Sequence, residues 1–237
     1  MYLFGSWAWF IFSMILLIML FCYPFTRSIQ STRRLVKNCA EWIVRLTRLD
    51  LVVEGEENLI DGSCILVSNH ASYTDPMVLA AALPADFAFV AKKELKYIPF
   101  AGYVLGKIGT HLVDRKNPRK GADDFNKIMK SSKENDSIIF FPEATFLKEE
   151  GLLKFKKGAF LTAVKSQVPV VPITINGSRR LLRSESWLPE NVQLKVTIHP
   201  SIPTDHPEME LKEIMEEARQ KILSNLGEPD LHTRSFQ

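Results

Sequence analysis

A histidine and an aspartate five residues apart, His70 and Asp75, have the residue types and spacing for proton-transfer chemistry. A neutral imidazole takes the proton of an alcohol, while a carboxylate on its other nitrogen fixes the tautomer and stabilises the imidazolium. The pair stands in Ser68-Asn69-His70-Ala71-Ser72-Tyr73-Thr74-Asp75-Pro76. The apolar, β-branched Cys64-Ile65-Leu66-Val67 before it reads as a buried strand. Residues 76–83 after it read as a helix, with Pro76 at the first position and Asp75 as N-cap. His70 therefore leaves the C-terminal end of a strand, where open α/β sheets place their ligands. Plainer readings exist: an Asp before a Pro caps a helix, and an isolated histidine is commonly structural. Spacing alone does not separate them.

Three later stretches carry further residues of interest: Lys93-Glu94-Leu95 with Pro99, Gly102 and Val113-Asp114-Arg115; Phe141-Pro142-Glu143-Ala144-Thr145; and Val168-Pro169-Val170-Val171-Pro172. With Asn69-His70 and Asp75-Pro76 in front, the four in this order resemble the motifs of the glycerolipid acyltransferases, the 1-acylglycerol-3-phosphate acyltransferase family. The resemblance covers roughly residues 50 to 200. It implies a membrane-bound enzyme that moves a fatty acyl group from acyl-coenzyme A or acyl-carrier protein to a hydroxyl of a lysophospholipid. His70 would be the base and Asp75 its partner, with no cofactor. Asn69, Lys93, Arg115, Glu143 and Thr145 would bind substrate, Arg115 by holding a phosphate of acceptor or donor. Cations after the strand-like 87–91 and 111–113 suit an anion, Arg in bidentate fashion, and Lys92 and Lys96 read as solvated charge. Arg179, Arg180 and Arg183, beyond the fourth motif, could hold an anionic donor. A buried Glu143 could equally serve as a structural ion-pair partner.

The third motif departs from the family pattern. The usual Gly is Ala144, and the Arg commonly found after the Thr is Phe146. A fork of donors is thereby lost from the expected phosphate site, which opens the acceptor to lysolipids other than lysophosphatidic acid. Two rivals follow: a lipid hydrolase using Ser72 with His70, and a non-catalytic lipid-binding relative. The first lacks any G-x-S-x-G elbow. The second has no need of an intact His70/Asp75 pair.

Around these motifs the chain alternates strand-like and helix-like patches. Strands are expected at 51–54, 64–68, 87–91, 111–113, 137–141, 169–176 and 192–199, and helices at 76–83, 99–108, 119–134, 158–167 and 208–226. That alternation predicts an α/β domain, residues 49–237, with a largely parallel central sheet flanked by helices. The last helix reads as packing.

Two segments precede this domain. Residues 1–26 carry no charged side chain, and about 20 apolar residues at 1.5 Å each span the roughly 30 Å hydrocarbon core. Basic residues follow the apolar run and no small-residue cleavage site appears, so the expectation is an inserted helix, not a cleaved leader. Residues 27–48 carry six basic side chains against Glu41 alone, in a chain of net charge +3. Their apolar neighbours suggest an amphipathic helix on anionic headgroups. Positive-inside asymmetry puts the domain on the cytoplasmic face. The remainder is slightly acidic, which argues against nucleic acid as a partner. Three scattered cysteines and five histidines give neither a disulfide framework nor a metal site.

Overall fold

Seven apolar strands and the helices between them build one sheet with helices on both faces. The computed structural model describes residues 2–98, 101–114, 118–133, 137–183, 185–205 and 210–232. In chain order the elements are α1 (Tyr2–Cys22), α2 (Ile29–Thr47), β1 (Asp50–Glu54), β2 (Ile65–Ser68), α3 (Asp75–Ala82) and β3 (Phe87–Lys92). They continue with α4 (Ala101–Lys107), β4 (His111–Val113), α5 (Pro118–Lys133), β5 (Ser137–Phe140) and α6 (Gly158–Ser166). The last are β6 (Val170–Asn176), α7 (Ser178–Leu181), β7 (Gln193–Ile198) and α8 (Leu211–Leu226).

The strand order is β1-β7-β6-β2-β5-β3-β4. β6, β2, β5, β3 and β4 run parallel, whereas β7 is antiparallel to β6 and carries β1 parallel to itself. The largely parallel sheet expected from the sequence is present, with these two strands reversed at one edge. Its centre is buried on both faces, which is why β2, β5 and β6 read as continuous apolar runs. Ile65, Leu66 and Val67 have no solvent exposure, and each such side chain contributes roughly 1.5–3 kcal/mol by burial. On one face Phe160 and Ala163 of α6 pack with Ile214, Ala218 and Ile222 of α8. On the other, Val78 and Leu79 of α3 pack with Leu49, Leu181 and Leu194. Because β2 feeds α3 and β5 feeds α6, the chain leaves adjacent strands toward opposite faces. The carboxyl ends of β2 and β5 thus border a crevice at a topological switch point.

α1 is long and apolar enough to cross a membrane by length and composition. It does not stand apart from the body. Ile11 and Ile15 pack on Cys39 of α2, Trp7 Nε1 donates to Leu46 O at 3.1 Å, and Trp9 Nε1 donates to Trp187 O at 2.6 Å. Just beyond its far end Tyr23 Oη donates to Tyr103 O at 2.8 Å. α2 starts at a reciprocal Ser28/Ser31 capping box. Two of its basic side chains turn inward to the orphan carbonyls at the ends of other helices. Arg33 Nε donates to Ile108 O at 2.9 Å, and Lys37 Nζ donates to Leu83 O at 2.9 Å and Ala81 O at 3.2 Å. Arg27, Arg34, Arg45 and Arg48 stay exposed.

Candidate functional site

The site begins where β2 stops. Asn69 is buried and its side chain continues the sheet in place of backbone: Nδ2 donates to Ile175 O at 2.9 Å, and Oδ1 accepts from Ile175 N at 2.7 Å. This pins the β2 end to β6 and turns the next residue, His70, out of the sheet. His70 Nδ1 meets Asp75 Oδ2 at 2.7 Å. The same oxygen accepts from Ala71 N at 2.7 Å and Ser72 N at 2.8 Å. Asp75 is therefore not the N-cap expected from the sequence. Thr74 occupies that position and Asp75 is the first residue of α3, because its carboxylate faces back into the loop and folds it around the imidazole. Asp75 is fully buried, whereas the His70 side chain keeps 18% exposure. With Nδ1 held, Nε2 is the nitrogen left to work.

That nitrogen belongs to a ring between aromatics. Phe141 stacks on His70 at 4.4 Å between centroids, Phe146 meets it edge-on at 4.8 Å, and Tyr73 meets Phe146 edge-on at 4.8 Å. These rings line a cavity of about 630 Å³. Phe12, Ile15, Leu16 and Met19 of α1 and Val36, Cys39, Ala40 and Ile43 of α2 supply one wall, and Thr145 and Lys92 also line it. The wall is predominantly apolar, and the imidazole is one of its few polar groups.

Glu143 lies beneath the histidine at 3% exposure. Oε1 accepts from His70 N at 2.6 Å and Oε2 accepts from Leu153 N at 2.7 Å. Burial pushes its carboxyl up to about 8, against the two amide donors and nearby Arg219, which favour the carboxylate. Next to it Ala144 sits at φ 66, a left-handed conformation that costs a residue bearing Cβ roughly 1–2 kcal/mol.

The structure thus brings Asn69, His70, Asp75 and Glu143 together, and Thr145 to the cavity wall. Lys93 points to Asp114, Nζ to Oδ2 at 3.5 Å, and the cavity cation among the described residues is its neighbour Lys92. Arg115 and Pro99 lie outside the described residues. Ser72 Oγ is fully buried, donates to Leu182 O at 3.0 Å and accepts from Thr74 Oγ1 at 3.0 Å, so it is not presented to His70 as a nucleophile. Arg179 is not a free anion-binding group. It forms a two-point pair with Glu228, Nε to Oε1 at 3.0 Å and Nη2 to Oε2 at 2.9 Å, and donates to Leu147 O at 2.7 Å. Sequence reasoning missed the aromatic surround of His70 and the role of Arg219 below. The one available signal for Arg219 was a cation four residues after Met215 and three before Ile222, on the apolar stripe of α8.

A parallel-stranded α/β fold with a His–Asp pair at the end of a central strand defines the class. Residues 50–176 match the model of the family described as Acyltransferase, and the chain belongs to that family. It is 32% identical over 184 residues to the 1-acyl-sn-glycerol-3-phosphate acyltransferase of Saccharomyces cerevisiae, covering 76% of this chain and 61% of that one. It is 34% identical over 178 residues to the chloroplastic 1-acyl-sn-glycerol-3-phosphate acyltransferase BAT2 of Brassica napus, covering 74% and 50%. The chain thus spans about half to three-fifths of the length of these curated relatives. In fold it is similar to the crystal structure of PlsC, the 1-acyl-sn-glycerophosphate (LPA) acyltransferase from Thermotoga maritima. The TM-score is 0.76 at 23% identity, over 99% of this chain and 97% of that one.

Proposed function

We propose that the chain is a membrane-bound acyltransferase that moves a fatty acyl group from acyl-coenzyme A or acyl-carrier protein to a hydroxyl of a lysophospholipid. The observation that carries this reading is the 2.7 Å contact between His70 Nδ1 and Asp75 Oδ2 at the wall of an apolar cavity. His70 Nε2 takes the proton of the acceptor hydroxyl, and Asp75 stabilises the imidazolium that forms. The freed oxygen attacks the thioester carbonyl carbon. The C–S bond then breaks, and the departing sulfur recovers the proton from His70. No acyl-enzyme is required. The cavity holds acyl chain, each buried CH₂ contributing about 0.8 kcal/mol, and Lys92 and Arg115 attract the charged end. Much of the rate comes from alignment of hydroxyl and carbonyl. Asn69 and Glu143 act by fixing the His70 backbone, and Thr145 by contact with substrate.

The attachment reading is that α1 and the exposed basic residues of α2 hold the domain against the cytoplasmic face of a bilayer. α1 has partners near both ends, at Trp7, Trp9 and the adjoining Tyr23, while Leu17, Ile18 and Phe21 are exposed. A helix docked along its length and apolar outside suits burial in one leaflet better than a crossing.

The test is to offer detergent-purified protein a panel of lysophospholipids with acyl-coenzyme A or acyl-carrier protein and to identify products by mass. A new diacyl lipid is expected. Release of free fatty acid without it would favour a hydrolase, and no turnover with any pair would favour a binding protein.

A further inference from the structure

The loop that carries Glu143 is held from the far end of the chain. Lys156 N donates to Pro142 O at 2.8 Å, closing the loop on itself. Its distal side is then gripped by residues 227–231. Leu152 N donates to Pro229 O at 2.9 Å, Leu231 N donates to Leu152 O at 3.0 Å, and Gly151 N donates to Glu228 Oε2 at 2.7 Å. The approach is close enough to require glycine: a Cβ on Gly151, at φ 139, would meet the Leu231 side chain at 2.5 Å and Pro229 O at 2.8 Å.

Arg219, from the middle of α8, joins this strap to the site. It is 2% exposed. Nη1 donates to Leu153 O at 2.7 Å and Nη2 to Leu152 O at 2.9 Å. Its guanidinium also pairs with Asp230 and lies over the Phe155 ring at 5.0 Å. The fork therefore fixes two successive peptide units. The N–H of Leu153, which joins them, donates to Glu143, whose other oxygen holds the N–H of His70. An arginine at 2% exposure that satisfies two carbonyls and one carboxylate is a costly group to keep, and its placement serves the loop.

We infer that Arg219, with the strap residues Glu228 and Asp230, is a positioning residue that holds the Glu143 loop and, through it, the backbone of His70 in the geometry of acyl transfer. The inference rests on the acyltransferase reading for its kinetic consequence but not for its structural one. Arg219 touches neither His70 nor the cavity; it acts through Leu153 and Glu143.

The experiment compares Arg219→Gln and Arg219→Lys with Ile222→Val, which thins the packing of the same helix without touching the strap. Full-length protein is used in detergent. Amide hydrogen exchange is read by mass spectrometry over peptides containing residues 69–72 and 142–153. Both Arg219 variants should exchange about tenfold faster there, with Ile222→Val matching wild type. In kinetics, Arg219→Gln should lower kcat about ten- to a hundredfold with KM within about twofold. Arg219→Lys keeps the charge without the fork to Leu152 O and Leu153 O, so it should lose kcat as well. Unchanged exchange in folded Arg219→Gln, or equal acceleration by Ile222→Val at equal loss of stability, overturns the inference. A wild type without transferase activity would instead sink the functional reading, and the exchange data would still decide this one.

Discussion

His70 and His199 each follow the end of a strand, and the contrast between them separates a proposed base from a structural histidine. β7 runs antiparallel to β6, so His199 comes back to the middle of that strand, its N–H donating to Pro172 O at 2.9 Å, whereas His70 leaves β2 at its carboxyl end. His70 has a buried carboxylate on Nδ1 and a cavity in front of it. His199 has neither partner among the described residues: its Nε2 donates to Thr174 Oγ1 at 2.8 Å, and that hydroxyl donates to Ile222 O at 3.2 Å. Burial, with a smaller contribution from Lys221, pushes His199 down to about 4, so it is neutral at physiological pH and locks α8 to β6. What distinguishes the two is the second group on the ring and access to a void, neither of which a lone histidine in a sequence reveals.

The largest effect expected breaks this comparison in one assay. His70→Ala should lower transfer by about 10² to 10⁴, the range for loss of a general base, in a protein that still folds. His199→Gln should leave turnover within about threefold of wild type, because His199 does not line the cavity. Equal losses in both would mean that neither acts chemically.

Next in size is substrate preference on the His70 side. Phe146 lies edge-on to His70 and lines the cavity, so a cation placed there reaches the acceptor. Phe146→Arg should shift kcat/KM toward lysophosphatidic acid, relative to lysophospholipids with a larger headgroup. A charge-assisted hydrogen bond of about 1.5–3 kcal/mol makes this roughly ten- to a hundredfold. The ratio of initial rates with the two acceptors measures it. No shift in a folded variant would mean that the headgroup lies elsewhere.

The histidine comparison also has a pH form. His199 binds its proton less well folded than unfolded, so stability is full above about 6.5 and falls as pH drops toward about 4. Glu143 has the opposite sign. Its folded carboxyl is raised from 4.5 to about 8, so stability falls as pH rises through that window. Chemical denaturation across pH should show a flatter acid side in His199→Gln and a flatter neutral side in Glu143→Gln, with slopes of at most about 1.4 kcal/mol per pH unit.

The smallest effect concerns Ala144, at φ 66. Ala144→Gly removes left-handed strain but loosens the unfolded chain, so a net gain of up to about 1 kcal/mol is expected from melting or denaturant midpoints.

Much of the fold was legible because apolar strand runs and helix periodicity are local properties. All seven expected strands are present, with ends displaced by a residue or so. What local pattern could not carry was direction across space. The reversal of β7 and β1 depends on pairing, not composition. Asp75 read both as a cap and as the partner of His70, because the two roles use the same residue type, and only the fold shows that Thr74 takes the cap position. Arg33 and Lys37 read as surface charge because nothing nearby in sequence announces the helix ends they satisfy. Glu143 was legible as part of a motif, but its engagement with two backbone amides, and the Arg219 fork behind it, join segments separated by tens of residues.

The central claim, direct transfer driven by the His70–Asp75 pair, is tested most directly by following a labelled acyl thioester. Wild-type protein is held with the donor alone, and lysophospholipid is then added while protein mass and label are monitored together. The expected result is label that stays on the donor, passes to the lipid ester only after the acceptor arrives, and never adds to the protein. An acylated protein before the acceptor, or label leaving as free fatty acid, would contradict it.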